Sequence, residues 1–271
     1  MRYRSAVLLA SAVLCVFGIF LGVLQAQRPF KQYEAAEYDD FPLPSDWNQK
    51  AEWTRARLRY PSVYGQYRRR MDLNWTIDYP RSDRHLLDGI RRLTRIDARS
   101  VEQVVDLDGT DDVYNWPMMY AVEVGHWDLP DDQAAQLRQF LLRGGFLMVD
   151  DFHGTLQWAN FMESMQRVFP DRPVVEISDQ HEVFHVLYDL DQRIQIPGIA
   201  ALARGRTYEQ DGVQPHWRGV YDDTGRLVVA INFNMDLGDA WEHADNPSYP
   251  EAMTTLAYRF AVNYVVYSMT H

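Results

Sequence analysis

Residues 137–154 read LRQFLLRGGFLMVDDFHG, and this stretch decides the fold class. Its first part continues an amphipathic helical pattern, which two consecutive glycines end. An apolar run from Phe146 to Val149 follows, and Asp150 and Asp151 come directly after it. A strand that is apolar on both faces is typical of a parallel sheet covered by helices on both sides. The two carboxylates are therefore expected at the carboxyl edge of such a sheet, where α/β proteins bind ligands.

Short apolar runs alternate with helical patterns on both sides of this stretch, which indicates an α/β architecture. The predicted strands cover residues 57–60, 101–107, 118–125, 146–152 and 174–178, with a hairpin at 218–233. The predicted helices cover residues 82–94, 129–145, 156–169 and 249–269. A serine side chain is expected to cap the first of them. The sequence thus predicts one α/β domain over residues 51–271, with a mostly parallel sheet between layers of helices.

The first 26 residues have the composition of an export signal, with a basic start and an uncharged apolar run over residues 5–24. That run is close to the roughly 20 residues that span a bilayer, so cleavage after Ala26 and retention as an anchor both stay open. We therefore predict an exported protein, either periplasmic or tethered to the inner membrane by residues 5–24. Residues 27–50 are polar, acidic and interrupted by prolines, which predicts a flexible linker.

Charge and cysteine content exclude several classes of function. The formal net charge is −11, so the surface repels nucleic acid, and membrane contact is predicted only through the N-terminal segment. The basic cluster Arg68–Arg70 is interpreted as a solvated turn. The only cysteine, Cys15, lies within the predicted export segment. The folded domain therefore has no disulfide, no thiolate metal site and no cysteine nucleophile.

Five longer strings occur along the chain: NWTIDYPRSD (74–83), LRQFLLRGGFLMVDDFHG (137–154), VFPDR (168–172), GRLVVAINFNMDLGDAWE (225–242) and NYVVYSMTH (263–271). Together they resemble the bacterial domain of unknown function 4159 family, over essentially all of residues 51–271. The resemblance implies a flavodoxin-like three-layer sandwich, grouped with class I glutamine amidotransferase-like domains. The family carries no settled activity.

The implied amidotransferase relationship can be checked against the residues that this chemistry needs. Amidotransferases of that fold use a cysteine on a sharp turn between a strand and a helix, and the predicted domain has no cysteine. It also lacks a G-x-S-x-G string that could carry a serine replacement. Glutaminase chemistry by that route is therefore excluded, which favours a scaffold that has lost its nucleophile.

Asp150 and Asp151 are the first candidates for catalysis, together with the nearby His153. A carboxylate at a strand end can bind a cation, orient a ligand or act as a general base. It can equally cap the helix that follows, since aspartate is a preferred cap, and both interpretations stay open. Three further histidines near strand ends or in loops are weaker candidates: His126, His216 and His243.

The string NFNMDLGDAWEH (232–243) follows a predicted buried strand and supplies four candidate ligand-binding residues: Asn234, Asp236, Trp241 and Glu242. An oxygen-rich loop with an aromatic edge suits a small polar or sugar-like ligand. The alternative is a loop ordered by its own bonds between side chain and backbone. Asp78, in WTIDYP, is either a further residue of the same crevice or part of a turn before the next helix.

The string HEVFH resembles the zinc motif of metalloproteases, with His181 and His185 as ligands and Glu182 as general base. Its entry is polar, and DQRIQIPG ends any helix soon after it. We therefore interpret it as a connector in which Val183, Phe184 and Leu187 pack onto the sheet, and predict no metal here. The zinc site is kept as the alternative.

Two functions remain from the sequence. The first is a non-catalytic binding or assembly module that interacts with a small polar ligand or an envelope protein. The second is a metal-assisted hydrolase of an envelope carbohydrate or peptide, which would use Asp150 or Asp151 with a histidine. No cofactor can be predicted from these patterns.

Overall fold

The computed structural model describes residues 28–63 and 73–271. The predicted export segment and the basic cluster Arg68–Arg70 lie outside these ranges. Within them, none of the helices combines the length and the apolar character needed to cross a bilayer.

The described part of the chain alternates strands and helices. The strands are β1 (Ala56–Arg59), β2 (Gln103–Asp106), β3 (Met118–Val122), β4 (Phe146–Asp150), β5 (Val175–Glu176), β6 (His216–Tyr221) and β7 (Leu227–Phe233). The α-helices are α1 (Arg81–Leu93), α2 (Asp131–Leu142), α3 (Gly154–Val168), α4 (Ile199–Ala203), α5 (Leu237–Glu242) and α6 (Glu251–Thr270). Short 3-10 helices lie at Asn74–Thr76, Asp111–Asn115, Val124–His126 and Glu182–Phe184.

The strands form one seven-stranded sheet in the order β2-β1-β3-β4-β7-β6-β5. The first five strands in this order are parallel to one another, and β6 pairs antiparallel with both β7 and β5. In the central pair, Met118 lies opposite Phe146 and Val122 opposite Asp150. The predicted α/β class with a mostly parallel sheet is therefore confirmed. The order of the parallel strands is that of a flavodoxin-like sandwich.

Successive side chains of β4 pack against helices on opposite faces of the sheet, which explains the three layers of the domain. Leu147 and Val149 lie in one buried cluster with side chains of α2 and α3. Phe146 and Met148 lie in a second cluster with side chains of α1 and α6. Successive side chains of a strand point to opposite faces, so a strand that is apolar throughout needs helices on both sides.

A buried ion cluster joins the sheet to α1. Asp83 Oδ1 lies 2.9 Å from Nε of Arg55, and Asp83 Oδ2 lies 2.8 Å from Nη2 of Arg57. All three side chains are at most 3% exposed. The guanidinium of Arg55 also lies over the ring of Tyr120, with Cζ 3.7 Å from the centroid. Burial lowers the pKa of Arg57, but Asp83, Tyr120 and Asp78 together outweigh burial and raise that pKa above its usual value.

Two predicted boundaries differ from the structure because of local backbone geometry. The strand predicted over 118–125 ends at Val122, since Glu123 adopts a left-handed conformation with φ 53° and a 3-10 turn follows. The first long helix begins at Arg81 with Pro80 at its cap position and no side-chain cap. The predicted serine cap is therefore wrong, and Ser82 is instead buried within the first turn.

The HEVFH stretch forms only a single 3-10 turn, Glu182–Phe184. His181 occupies the cap position, and its Nδ1 accepts a hydrogen bond from the Val183 N–H at 3.1 Å. Val183 and Phe184 are fully buried, in keeping with a connector that packs on the domain. Leu187 is 52% exposed, so the prediction that it packs onto the sheet is wrong.

Residues 28–50, predicted to be a linker, contain no helix or strand but contact the loop before α1. The Tyr33 ring meets the Trp75 ring edge-on, with centroids 5.7 Å apart. The Ala36 N–H donates to Oγ1 of Thr76 at 3.0 Å. These contacts bring the side chains that follow Ala36 toward the carboxyl edge of the sheet.

Candidate functional site

Polar side chains follow three neighbouring strands at the carboxyl edge of the sheet. Glu123 follows β3, Asp150 and Asp151 stand at the end of β4, and Asn234 and Asp236 follow β7. Because β3, β4 and β7 are parallel neighbours, their carboxyl ends meet at one edge. Ligand sites of open α/β sheets lie at this edge.

Asp150 connects the end of β4 to the first turn of α5. Its Oδ2 accepts hydrogen bonds from the backbone N–H groups of Leu237 at 2.7 Å and Gly238 at 3.1 Å. It is fully buried, and burial raises its pKa to about 6. Asp150 therefore binds the first two N–H groups of α5, a different helix from the one that the sequence suggested, while Asp236 stands at the cap position and its Oδ1 accepts from the Asp239 N–H at 2.8 Å.

The side chain of Asp151 lies among other carboxylates, unlike that of Asp150. Together with Asp78 and Asp236 it forms a group of three carboxylates whose ligand oxygens all lie within 4.8 Å of one another. The three residues are only 7%, 2% and 5% exposed, respectively. Burial raises the pKa of each well above its usual value, and the negative charges around them raise it further.

Repulsion among these three carboxylates would destabilise the folded protein if all of them were ionised and no cation were bound. Two full charges 4.8 Å apart repel by about 3 kcal/mol at an effective dielectric constant of about 20. Oδ2 of Asp78 has no hydrogen-bond partner among residues 28–63 and 73–271. Buried carboxylates in such a setting either take up protons or bind a cation.

Two glycines allow these carboxylates to approach the backbone. A Cβ atom on Gly238, in the first turn of α5, would lie 2.1 Å from Oδ2 of Asp78. One on Gly198 would lie 2.7 Å from Oδ2 of Asp236. Any larger residue at either position would displace a carboxylate from the group.

The backbone around the group is strained. Four residues have positive φ without being glycine: Asp78 (60°), Glu123 (53°), Asp151 (52°) and Asn234 (62°). Asn234 is fixed on both sides, since its Oδ1 accepts from the Gly154 N–H at 2.9 Å and its Nδ2 donates to the Gln214 carbonyl at 2.7 Å. Left-handed conformations cost of order 1 kcal/mol each and concentrate where function requires a fixed geometry.

Further carboxylates continue the cluster on the other side of Asp78. Glu37, Asp78 and Glu242 form a second group within 4.8 Å, and Asp239, Glu242 and His243 form a third. Glu242 is 3% exposed, and burial raises its pKa to about 7.

His153 adjoins the first group. Its Nε2 lies 3.2 Å from Oδ1 of Asp151, and the residue is 4% exposed. Burial lowers its pKa to about 4, so the imidazole is neutral near pH 7. Nδ1 has no hydrogen-bond partner within the described ranges. A neutral imidazole beside a carboxylate can accept a proton.

Other predicted residues lie elsewhere or serve the packing. Trp241 is fully buried in the second core cluster, where its ring meets that of Tyr120, with centroids 5.9 Å apart. His216 binds Glu176 on the antiparallel side of the sheet at 2.9 Å. His126 Nε2 lies 3.2 Å from Oε2 of Glu123.

The HEVFH side chains have separate partners. His185 contacts Oδ1 of Asp189 through Nδ1 and the Asp179 carbonyl through Nε2. Glu182 pairs with His271 at 3.1 Å. In the part of the chain that the structure describes, the three groups that could share an ion do not include His181, Glu182 or His185.

Sequence patterns did not indicate Glu37. It lies in the segment predicted to be a linker, which has no periodicity, and its contact with the Asp78 N–H, at 3.3 Å, spans 41 positions in the chain. Asp239 could have been found, since it lies in the same string as Asp236 and Glu242.

Fold and site together define an α/β domain with flavodoxin-like strand order and a buried carboxylate cluster at the carboxyl edge of its sheet. The family model described as domain of unknown function, DUF4159, matches residues 56–269, from the first residue of β1 into α6. The chain belongs to this family, which confirms the resemblance drawn from the five strings. A comparison with curated protein sequences gave no match.

Proposed function

We propose that this domain is a binding module that holds a divalent cation, calcium or magnesium, through Asp78, Asp151 and Asp236. The observation that carries the proposal is the burial of three carboxylates with ligand oxygens within 4.8 Å of one another. A donor set made only of oxygens suits hard cations rather than zinc or copper.

A bound cation would give the module its ligand specificity. Calcium takes about 6 to 8 oxygen ligands and magnesium about 6, so three carboxylates leave positions for water or for a ligand oxygen. A small polar ligand, or a side chain of an envelope protein, could occupy those positions. The missing cysteine nucleophile supports binding over amidotransferase chemistry.

The proposal includes export, which rests on the composition of the first 26 residues. The protein would then be periplasmic or anchored to the inner membrane by residues 5–24. The acidic charge of −11 supports a partner that is neither nucleic acid nor anionic lipid.

Cation binding should appear as a stabilisation that depends on pH. Burial raises the pKa of Asp78, Asp151 and Asp236 well above the usual value of aspartate, so the metal-free protein should lose stability as pH rises and these carboxylates ionise. A cation binds the ionised carboxylates and should restore that stability. At a concentration of about 100 Kd we expect the Tm to rise by about 5 to 10 °C near pH 8, and by less near pH 5.

The measurement is thermal unfolding of chelator-treated protein, with calcium and magnesium titrated separately at both pH values. Potassium chloride at matched ionic strength controls for screening of the surface charge. An unchanged Tm with either cation at both pH values would contradict the proposal.

One observation favours metal-assisted hydrolysis as a second candidate function. Nε2 of the neutral His153 lies 3.2 Å from Oδ1 of Asp151 and would donate to that carboxylate when it is ionised. Nδ1, which has no hydrogen-bond partner within the described ranges, would then be the nitrogen that accepts a proton from a water at the cation site. An envelope carbohydrate or peptide would be the substrate.

If the domain is a hydrolase, His153→Ala should lower turnover of cell-wall fragments by about 100-fold or more while cation affinity is kept. Hydrolysis is measured by product analysis with calcium, magnesium or manganese present. His216→Ala, far along the chain and paired with Glu176, serves as the matched control. Product formation that is equal in wild type and His153→Ala, or absent from both, would rule out this role.

A further inference from the structure

Asp78 belongs to two groups of carboxylates at once. One group contains Asp151 and Asp236, and the other contains Glu37 and Glu242. Asp78 is 2% exposed, and its Oδ2 has no hydrogen-bond partner in the two described ranges. An unpartnered buried carboxylate oxygen between two acidic groups is the arrangement expected of a bridging ligand.

We propose that Asp78 bridges two divalent cations, the first held with Asp151 and Asp236 and the second held with Glu37 and Glu242. This inference rests on the proposed function, because the bridge presupposes the first cation.

Charge balance supports the second cation. When ionised, the five carboxylates of the two groups carry five negative charges, so one divalent ion would leave three and two ions would leave one. The adjoining Asp239 carboxylate pairs with His243 at 3.4 Å. The nearby Arg57 offsets part of this charge, but it is shared with Asp83, whose Oδ2 it contacts at 2.8 Å. His243 contacts Glu242 at 3.2 Å and supplies part of the remaining compensation.

The second cation site would include a residue from the segment 28–50, which precedes the α/β domain. Glu37 is exposed, but its Oε2 accepts a hydrogen bond from the Asp78 N–H at 3.3 Å. The hydroxyl of the next residue, Tyr38, donates a hydrogen bond to Oε1 of Glu242. Residues 28–50 would thus contribute a metal ligand and hold a second one in place.

The test counts ions in the full protein. Manganese is a suitable probe because it prefers oxygen ligands and is paramagnetic. Equilibrium dialysis followed by metal analysis should give about two ions per chain for wild type and about one for Glu37→Gln and Glu242→Gln. The electron paramagnetic resonance spectrum should show a coupled pair in wild type only. Glu34→Gln, an exposed acid of the same segment, is the matched control and should keep both ions.

The outcomes separate this inference from the proposed function. One ion in wild type, or two ions in Glu37→Gln, would overturn the bridged pair but leave the first cation site intact. Absence of bound ion from wild type would overturn both. Because Glu37 lies on an exposed segment, its replacement is not expected to affect folding, which circular dichroism checks.

Discussion

Asp83→Asn is expected to lower the free energy of unfolding by about 3 to 5 kcal/mol, because it removes the carboxylate charge that two buried guanidinium groups contact directly. Asp83 is fully buried and approaches Arg55 at 2.9 Å and Arg57 at 2.8 Å. Asparagine has nearly the same shape as aspartate. The loss of stability would therefore result from the missing charge and not from a cavity. Its amide would also place a donor against groups that can only donate.

The measurement for Asp83→Asn is urea unfolding followed by circular dichroism. Asp245→Asn is the matched control, since Asp245 pairs with Arg81 at 2.7 Å but is 61% exposed. An exposed ion pair of this kind contributes at most about 1 kcal/mol. Similar losses for the two variants would show that the buried cluster does not hold α1 on the sheet.

Asp151→Asn is expected to weaken binding of calcium or magnesium by about 100-fold or more, which corresponds to about 2.7 kcal/mol. It removes one charged ligand from the group with Asp78 and Asp236. The same change should make the metal-free protein more stable near pH 8, because burial and neighbouring charges raise the pKa of Asp151. Weaker binding combined with greater stability is typical of a site where function opposes stability.

Isothermal titration of chelator-treated protein measures this affinity, and thermal unfolding measures the stability. Asp211→Asn is a suitable control, because its carboxylate accepts from the Thr155 N–H at the start of α3 and lies outside the carboxylate groups. Equal affinity in wild type and Asp151→Asn would place the cation elsewhere or exclude it.

Much of the fold follows from local patterns. The apolar run of β4 and the paired glycines before it are local features, and the parallel central strand that they predict is the one observed. The polar residues after β4 and β7 could be assigned to one edge, because parallel strands share their carboxyl ends. The implied kinship with amidotransferases stays a prediction.

The details of the site depend on contacts that no local pattern contains. Asp150 and Asp151 are adjacent in the chain, yet one binds the first N–H groups of α5 and the other joins Asp78 and Asp236. Glu37 reaches the same region from a segment without periodicity. A sequence pattern gives positions along the chain, whereas these roles depend on which way each side chain turns at the strand ends.

HEVFH matches a zinc motif in its residue spacing but differs from it in backbone conformation. Two zinc ligands one α-helical turn apart need a regular helix. Here the helical residues are only Glu182–Phe184 in a 3-10 turn, and His181 stands at its cap. The aromatic Trp241 is similar, since its place beside polar residues suggested a ligand platform but its ring lies in the core.

The metal content of the purified protein tests the central claim most directly. Wild type, Asp151→Asn and His181→Ala are dialysed against calcium or magnesium and then against metal-free buffer, and the bound ion is measured. We expect wild type and His181→Ala to retain at least about one ion per chain and Asp151→Asn to retain far less. Equal and negligible metal in all three proteins would contradict a cation site formed by Asp78, Asp151 and Asp236.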